Sequence, residues 1–257
     1  MLILISCAKT MSFDQKTKEI TATQPRFLQE ATNIAAAMTQ YSVDDISALL
    51  KVNTHIAADV HRFYNEFSCE SSPLLHAIFA YTGVVFKHIS PNDFTADEIS
   101  YMQDNLRITS FCYGLLRPLD LIKQYRLEGD VELDVNGGKT MFKYWQEKLT
   151  DVFIDDVKKS GGVLCYLASD EMKKLFNWKR VEKEVRVVTP EFKVYKKGKL
   201  STIVVYTKMC RGEMSKYIIK NKITNPDDLR NFDWEGFAYS PELSTPSKFM
   251  FVSGGVI

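Results

Sequence analysis

Residues Leu106–Glu128 read LRITSFCYGLLRPLDLIKQYRLE and set Arg107, Tyr113, Arg117, Asp120, Tyr125, Arg126 and Glu128 among leucines. A solvated helix face would exchange lysine and glutamate freely along its length. Here the charges are mostly guanidinium and carboxylate, and Gly114 and Pro118 interrupt them. Arginine presents a rigid fork that suits carboxylates or phosphates. Gly114 admits a left-handed or tight backbone, and Pro118 pushes Arg117 out of the α region. The stretch reads as a helix end running into an irregular, polar, half-buried loop. Two roles fit it: an internal Arg–Asp/Glu clamp, or a pocket for an anionic ligand.

Upstream, Leu2–Ser6 is a continuous apolar run, read as a buried strand that exits through Ser6-Cys-Ala-Lys9. Open sheets commonly place ligands at such strand ends. Residues 11–25 read as a surface loop, and a helix is expected around Phe27–Thr39. Ser42 with Asp45 forms a capping box, and Tyr41 with Ile46 a hydrophobic staple. Leu49, Leu50, Ile56, Val60, Phe63 and Phe67 continue at helical spacing as one core-facing helix. The same start signal recurs at Thr95 and Glu98, opening a helix through Met102 and Leu106. Between these, Gly83 in LLHAIFAYTGVVF allows either an ordinary helix turn or a helix-hairpin-helix whose backbone N–H groups face a phosphate.

Downstream, Asn136-Gly137-Gly138 marks a turn, and Phe142, Trp145, Leu149, Val152 and Phe153 trace an amphipathic helix. Gly162–Ala168 reads as a second buried strand ending at Ser169-Asp170-Glu171, a polar strand end or a plain N-cap. Glu184–Tyr195 and Leu200–Lys208 are read as a hairpin joined by Lys197-Gly198-Lys199. Its second strand would exit at Lys208-Met-Cys-Arg211, with a helix from about Glu213 to Asn221. Asn225-Pro226 starts a short helix, and Phe237–Val252 offers two short strands. No repeat or long linker divides residues 1–257, so the expectation is one α+β domain with mixed sheet elements and several amphipathic helices.

Composition narrows the chemistry. A net charge of +1 gives no global attraction for nucleic acid, so such binding needs a local basic patch. Five scattered cysteines without a C-x-x-C pair argue for reduced thiols in a cytoplasm, against a disulfide framework or zinc. The four histidines are dispersed, and no Walker or dinucleotide glycine loop occurs, so neither metal nor cofactor is expected. No apolar run is long enough for a membrane span, and MLILIS lacks the basic flank of a signal peptide. Ser6-x-x-Lys9 has the spacing of a lysine-activated serine, though a lysine that simply holds an anion fits as well. Convergence of the polar exits would gather several cations and a few carboxylates. The candidates for chemistry there are Ser6, Lys9, Asp120, Ser169 and Asp170. Those for gripping an anion include Lys208 and the Gly83 turn.

LISCAKT, the central motif, FKYWQEKLT, YLASDE and RGEMSKYII together make the chain resemble the YaaA family of bacterial peroxide-stress proteins. The resemblance implies a cytosolic protein of α+β fold that limits free iron and so Fenton damage to DNA. It also implies DNA binding through a positively charged cleft and a helix-hairpin-helix. Carried over by motif, the cleft residues would be Ser6, Lys9, Arg107, Tyr113, Arg117, Asp120, Arg126, Ser169 and Arg211. The chain departs from the family at Cys7, where proline is usual, and at Phe111-Cys112, where glycine-leucine is usual. A redox role for Cys7 and Cys112 would be peculiar to this chain. Two functions stay open: a binding protein holding DNA phosphates, or an enzyme acting on a nucleotide, nucleobase or small anionic metabolite.

Overall fold

Strand β1 (Leu2–Ile5) is buried at all four residues, as its uninterrupted apolar run requires. A strand covered on both faces has no polar side to present. In the computed structural model, which describes residues 1–13, 20–196 and 198–254, β1 lies in the middle of a mixed sheet. Helices α1 (Leu28–Met38), α2 (Val43–Leu50) and α3 (Thr54–Glu66) follow. Next come β2 (Leu75–His76), the single turn α4 (Ala77–Ala80), α5 (Val84–Ile89) and α6 (Ala96–Asn105). The central motif supplies β3 (Leu106–Ser110), β4 (Gly114–Leu116) and β5 (Leu121–Ile122), the last paired with β2. Then follow α7 (Met141–Lys159), β6 (Val163–Tyr166), α8 (Trp178–Glu184), β7 (Arg186–Lys196) and β8 (Lys199–Ser201). Helix α9 (Val204–Lys220) precedes β9 (Asp233–Trp234), β10 (Phe237–Tyr239) and β11 (Lys248–Ser253).

The sheet runs β4-β3-β1-β6-β7-β11-β10-β9, with β8 on the end of β7. Strands β3, β1, β6, β7 and β11 are mutually parallel, so their C-terminal ends share one edge. The α+β class with a mixed sheet is therefore as expected. Among the described residues no helix is long and apolar enough to cross a membrane.

Both capping boxes are present: Asp45 N–H donates to Ser42 Oγ, and Glu98 N–H to Thr95 Oγ1. Three readings are corrected. Leu106–Ser110 is not a helix end; it is a parallel strand in which every residue is buried. The expected single helix through Phe67 breaks at Lys51, whose φ is 53°, and restarts where Asn53 accepts from Ile56 N–H. Leu200–Lys208 is not a strand beyond Ser201, because α9 begins at Val204. Lys197, in the expected turn, lies outside the described residues.

Tertiary packing overrides the β-branched residues at the start of α9. This helix crosses α5 so closely that a Cβ on Gly212 would stand 2.5 Å from His88 Cβ and from the Val85 carbonyl. His88 Nδ1 meets Glu213 Oε1 at 2.9 Å across the same crossing. Gly83 follows the one-turn α4 and opens the six-residue α5. A Cβ there would meet Ala8 Cβ at 2.7 Å, so its local role is to admit the loop after β1.

Candidate functional site

Parallel strands bring three polar exits to one edge. After β1, Ser6 Oγ accepts from Ser169 N–H at 2.9 Å and lies 3.3 Å from Ser169 Oγ. Beside it, Cys7 N–H donates to Thr109 Oγ1 of β3. Ser169 does not cap the 3-10 turn that follows it, so its hydroxyl serves this junction instead. Lys9 Nζ pairs with Glu128 Oε2 at 2.8 Å, and Arg126 stands 3.6 Å from Glu128 Oε1. The lysine-activated serine is thus not assembled, since Lys9 serves Glu128 and Ser6 serves Ser169. Cys7, Lys9, Arg126, Glu128 and Met172 line a small chamber of about 70 Å³. Burial, reinforced by the Glu128 charge, pushes the Cys7 thiol up to about 12. Its thiolate fraction at pH 7.5 is then about a thousandfold below that of an ordinary thiol. Alkylation of the native protein at that pH should therefore label exposed Cys69 first and leave Cys7 unmodified. Rapid labelling of Cys7, read by peptide mass, would restore the redox reading.

Other predicted site residues lie elsewhere. Arg107 is buried; its Nε donates to Asp156 at 2.7 Å, and its Nη1 caps the Gln103, Asp104 and Leu106 carbonyls. It clamps α6 to α7, which is the internal role that was one of the two expected for the central motif. Asp120 is equally structural: it accepts from Arg117 N–H, from the Arg117 guanidinium and from Thr23 Oγ1. Tyr113 is buried and its hydroxyl accepts from Lys123 N–H, beside a separate groove with Phe67 and Leu74. Lys208 is exposed on α9, not at a strand exit. The expected convergence of all four exits is therefore partial.

The larger space lies on the other side of the 170–175 turn. Glu171 and Met172 line the chamber, whereas Asp170 and Lys173 line a cleft of about 650 Å³. The cleft owes its position to β7. Residues Val188, Pro190, Phe192 and Val194 of this strand are buried, while Val187, Thr189, Glu191 and Lys193 alternate with them at half exposure. The half-exposed face lines the cleft. Strand β6 pairs with β7 only as far as Val188, and β11 takes over from Thr189. Thr189 N–H donates to Ser247 on the β11 side, so Pro190 turns its nitrogen to the edge that β6 has left. Proline is tolerated where no ladder donor is required. The cleft opens at that vacated edge.

Five cations line it, Lys173, Arg186, Lys193, Arg211 and Lys248, against the carboxylates Asp170, Glu182 and Glu191. Lys173 pairs with Asp170 at 2.7 Å and Lys248 with Glu191 at 3.3 Å. Arg186, Lys193 and Arg211 have no ion pair among the described residues. Arg211 is the least satisfied, because its Nε is buried without a hydrogen-bond partner. Burial pulls its pKa below the usual value, opposed by Tyr166, Asp170 and Glu191, yet a guanidinium stays charged at neutral pH. Trp178, Glu191, Lys193 and Lys248 were missed; the alternation along β7 was the signal that could have found two of them.

The model of a family described as peroxide stress protein YaaA matches residues 1–243. A UPF0246 protein of Bacteroides thetaiotaomicron is 57% identical over 254 residues, covering 99% of each chain. One from Clostridium botulinum is 35% identical over 256 residues, covering 98% of each.

Proposed function

The chain belongs to the YaaA family of peroxide stress proteins, and on that premise we propose that its cleft grips nucleic-acid phosphates. The observation that carries this reading is Arg211, a half-buried arginine without an ion pair among the described residues, in a cleft also lined by unpaired Arg186 and Lys193. Arginine's fork and charge match a phosphate, and such charge-assisted bonds are roughly twice as strong as neutral ones. Binding at phosphates releases the cations condensed on DNA.

A second reading, chemistry on a nucleotide or a small anionic metabolite in the same cleft, is favoured by Asp170 and Glu191. Both carboxylates stand in the field of Arg211, and phosphate gripping alone does not need them.

Fluorescence anisotropy with a labelled duplex tests the first reading. Arg211→Gln is expected to weaken binding about tenfold or more, as loss of a charged hydrogen bond worth about 1.5–3 kcal/mol implies. Lys139→Gln, at the exposed Glu147 pair, should leave affinity unchanged. Equal affinity of wild type and a folded Arg211→Gln would remove the cleft from DNA binding.

A further inference from the structure

We propose that the cleft accepts a single nucleotide unit, with its unpaired base against Trp178 and its phosphate at Arg211. This rests on the phosphate-gripping reading and goes further, by naming what enters. A space of about 650 Å³ lies in the range of small-molecule sites, and a double helix can meet only its rim.

The two ends of the cleft differ in chemistry. At one end Trp178 and Tyr166 meet edge to face, with ring centroids 4.9 Å apart. Trp178 Nε1 donates to Glu182 Oε1 at 2.8 Å, so the indole is held by its polar edge before any ligand arrives. Lys173 Nζ lies over the rings of Tyr166 and Trp178, 5.2 Å and 5.5 Å from their centroids, so an incoming base stacks on the indole face that Lys173 does not cover. A stacked base contributes about 1–3 kcal/mol on such a platform and needs no particular identity.

At the other end stands Arg211, half-buried and without an ion pair among the described residues. Asp170 and Glu191 face the same space and attract Arg211, but each is ion-paired with a lysine and neither forms an ion pair with Arg211. Tyr166 joins the two ends: its ring touches Trp178 and its hydroxyl is within electrostatic reach of Arg211. An aromatic platform and an unpaired guanidinium in one cleft match base and phosphate, with buried Tyr166, whose hydroxyl donates to the Ser169 carbonyl, packed behind them. A site made only for the backbone of paired DNA has no use for Trp178.

The nucleotide can come from solution or from an extrahelical position in DNA, and three probes separate these sources. They are thymidine monophosphate, a fully paired duplex, and the same duplex carrying one bulged thymidine. Each is titrated against wild type, Trp178→Ala and Trp178→Phe, with circular dichroism to verify folding. Wild type should bind the bulged duplex about tenfold more tightly than the paired one, a preference lost in Trp178→Ala and kept in Trp178→Phe. Equal affinity of wild type for both duplexes, without binding of the mononucleotide, overturns the inference and leaves the phosphate grip standing. A bulge preference that survives in folded Trp178→Ala also overturns it. Trp178-dependent binding of the mononucleotide, with neither duplex bound, would sink the nucleic-acid reading and assign the site to a free nucleotide. Binding of no probe overturns both.

Discussion

Asp156→Asn is expected to destabilise the protein by about 3–5 kcal/mol, because it leaves a buried arginine without its counter-charge. Asp156 accepts from Arg107 Nε at 2.7 Å and from Arg26 Nη2 at 3.1 Å, with its own side chain only 5% exposed. Arg107 cannot turn away, since its Nη1 also holds three carbonyls where α6 meets β3. At 2–4 °C per kcal/mol for a chain of this size, Tm should fall by roughly 6–20 °C. The sign of the pH dependence follows from the pair. Burial alone would raise the Asp156 pKa, but Arg107 and Arg26 together hold it below its ordinary value. The stabilisation is therefore complete above the unfolded carboxyl pKa of about 3.9 and is lost as pH falls through the lower folded value. Wild type should lose this contribution in that acid window, while Asp156→Asn, already without it, should show a correspondingly shallower loss. Denaturant melts of the two proteins between neutral and acid pH read both effects. A change below about 1 kcal/mol at neutral pH would mean that the clamp is dispensable.

Gly114→Ala should cost about 2–4 kcal/mol, through backbone strain and overpacking acting together. Gly114 has φ of +71°, where a side chain is strained regardless of space. A Cβ there would also stand 2.6 Å and 2.8 Å from two Trp145 ring atoms. The indole has no room to yield: it is fully buried, its Nε1 donates to the Phe111 carbonyl at 2.7 Å, and Phe27 and Tyr144 pack against it edge on. Thermal melting of the variant measures the sum. An unchanged Tm would show that the turn between β3 and β4 can rearrange.

These two predictions concern the stretch that the sequence presented most plainly and disguised best. Strands β1 and β6 were legible because parallel strands buried on both faces read as apolar runs. Strand β3 has the same environment, yet Arg107 and Thr109 sit within it, and the burial of Arg107 depends on Asp156, 49 residues away. Local patterning does not reveal such a partner. The capping boxes of α2 and α6 were legible because their donors and acceptors lie three residues apart. The start of α9 was not, because β-branched Val204, Val205 and Thr207 favour a strand until α5 is in place to pack against the helix. At the site, Ser6 with Lys9 and Ser169 were read at the polar ends of strands, while Arg126 was read in a loop and assigned to the cleft only through the family motif. Arg117 and Asp120 looked equally chemical but satisfy each other within one turn. The cleft itself gathers residues from β6, α8, β7, α9 and β11, and only the order of the strands brings them together.

The central claim is that the cleft binds phosphates through its unpaired cations, and the salt dependence of duplex binding tests it most directly. Arg186, Lys193 and Arg211 provide three such cations, so log K against log salt should fall with a slope of about −3, at roughly −0.9 per phosphate neutralised. Arg211→Gln should make that slope shallower by about one unit in the same titration. A slope near zero, or one identical in wild type and Arg211→Gln, would contradict the claim.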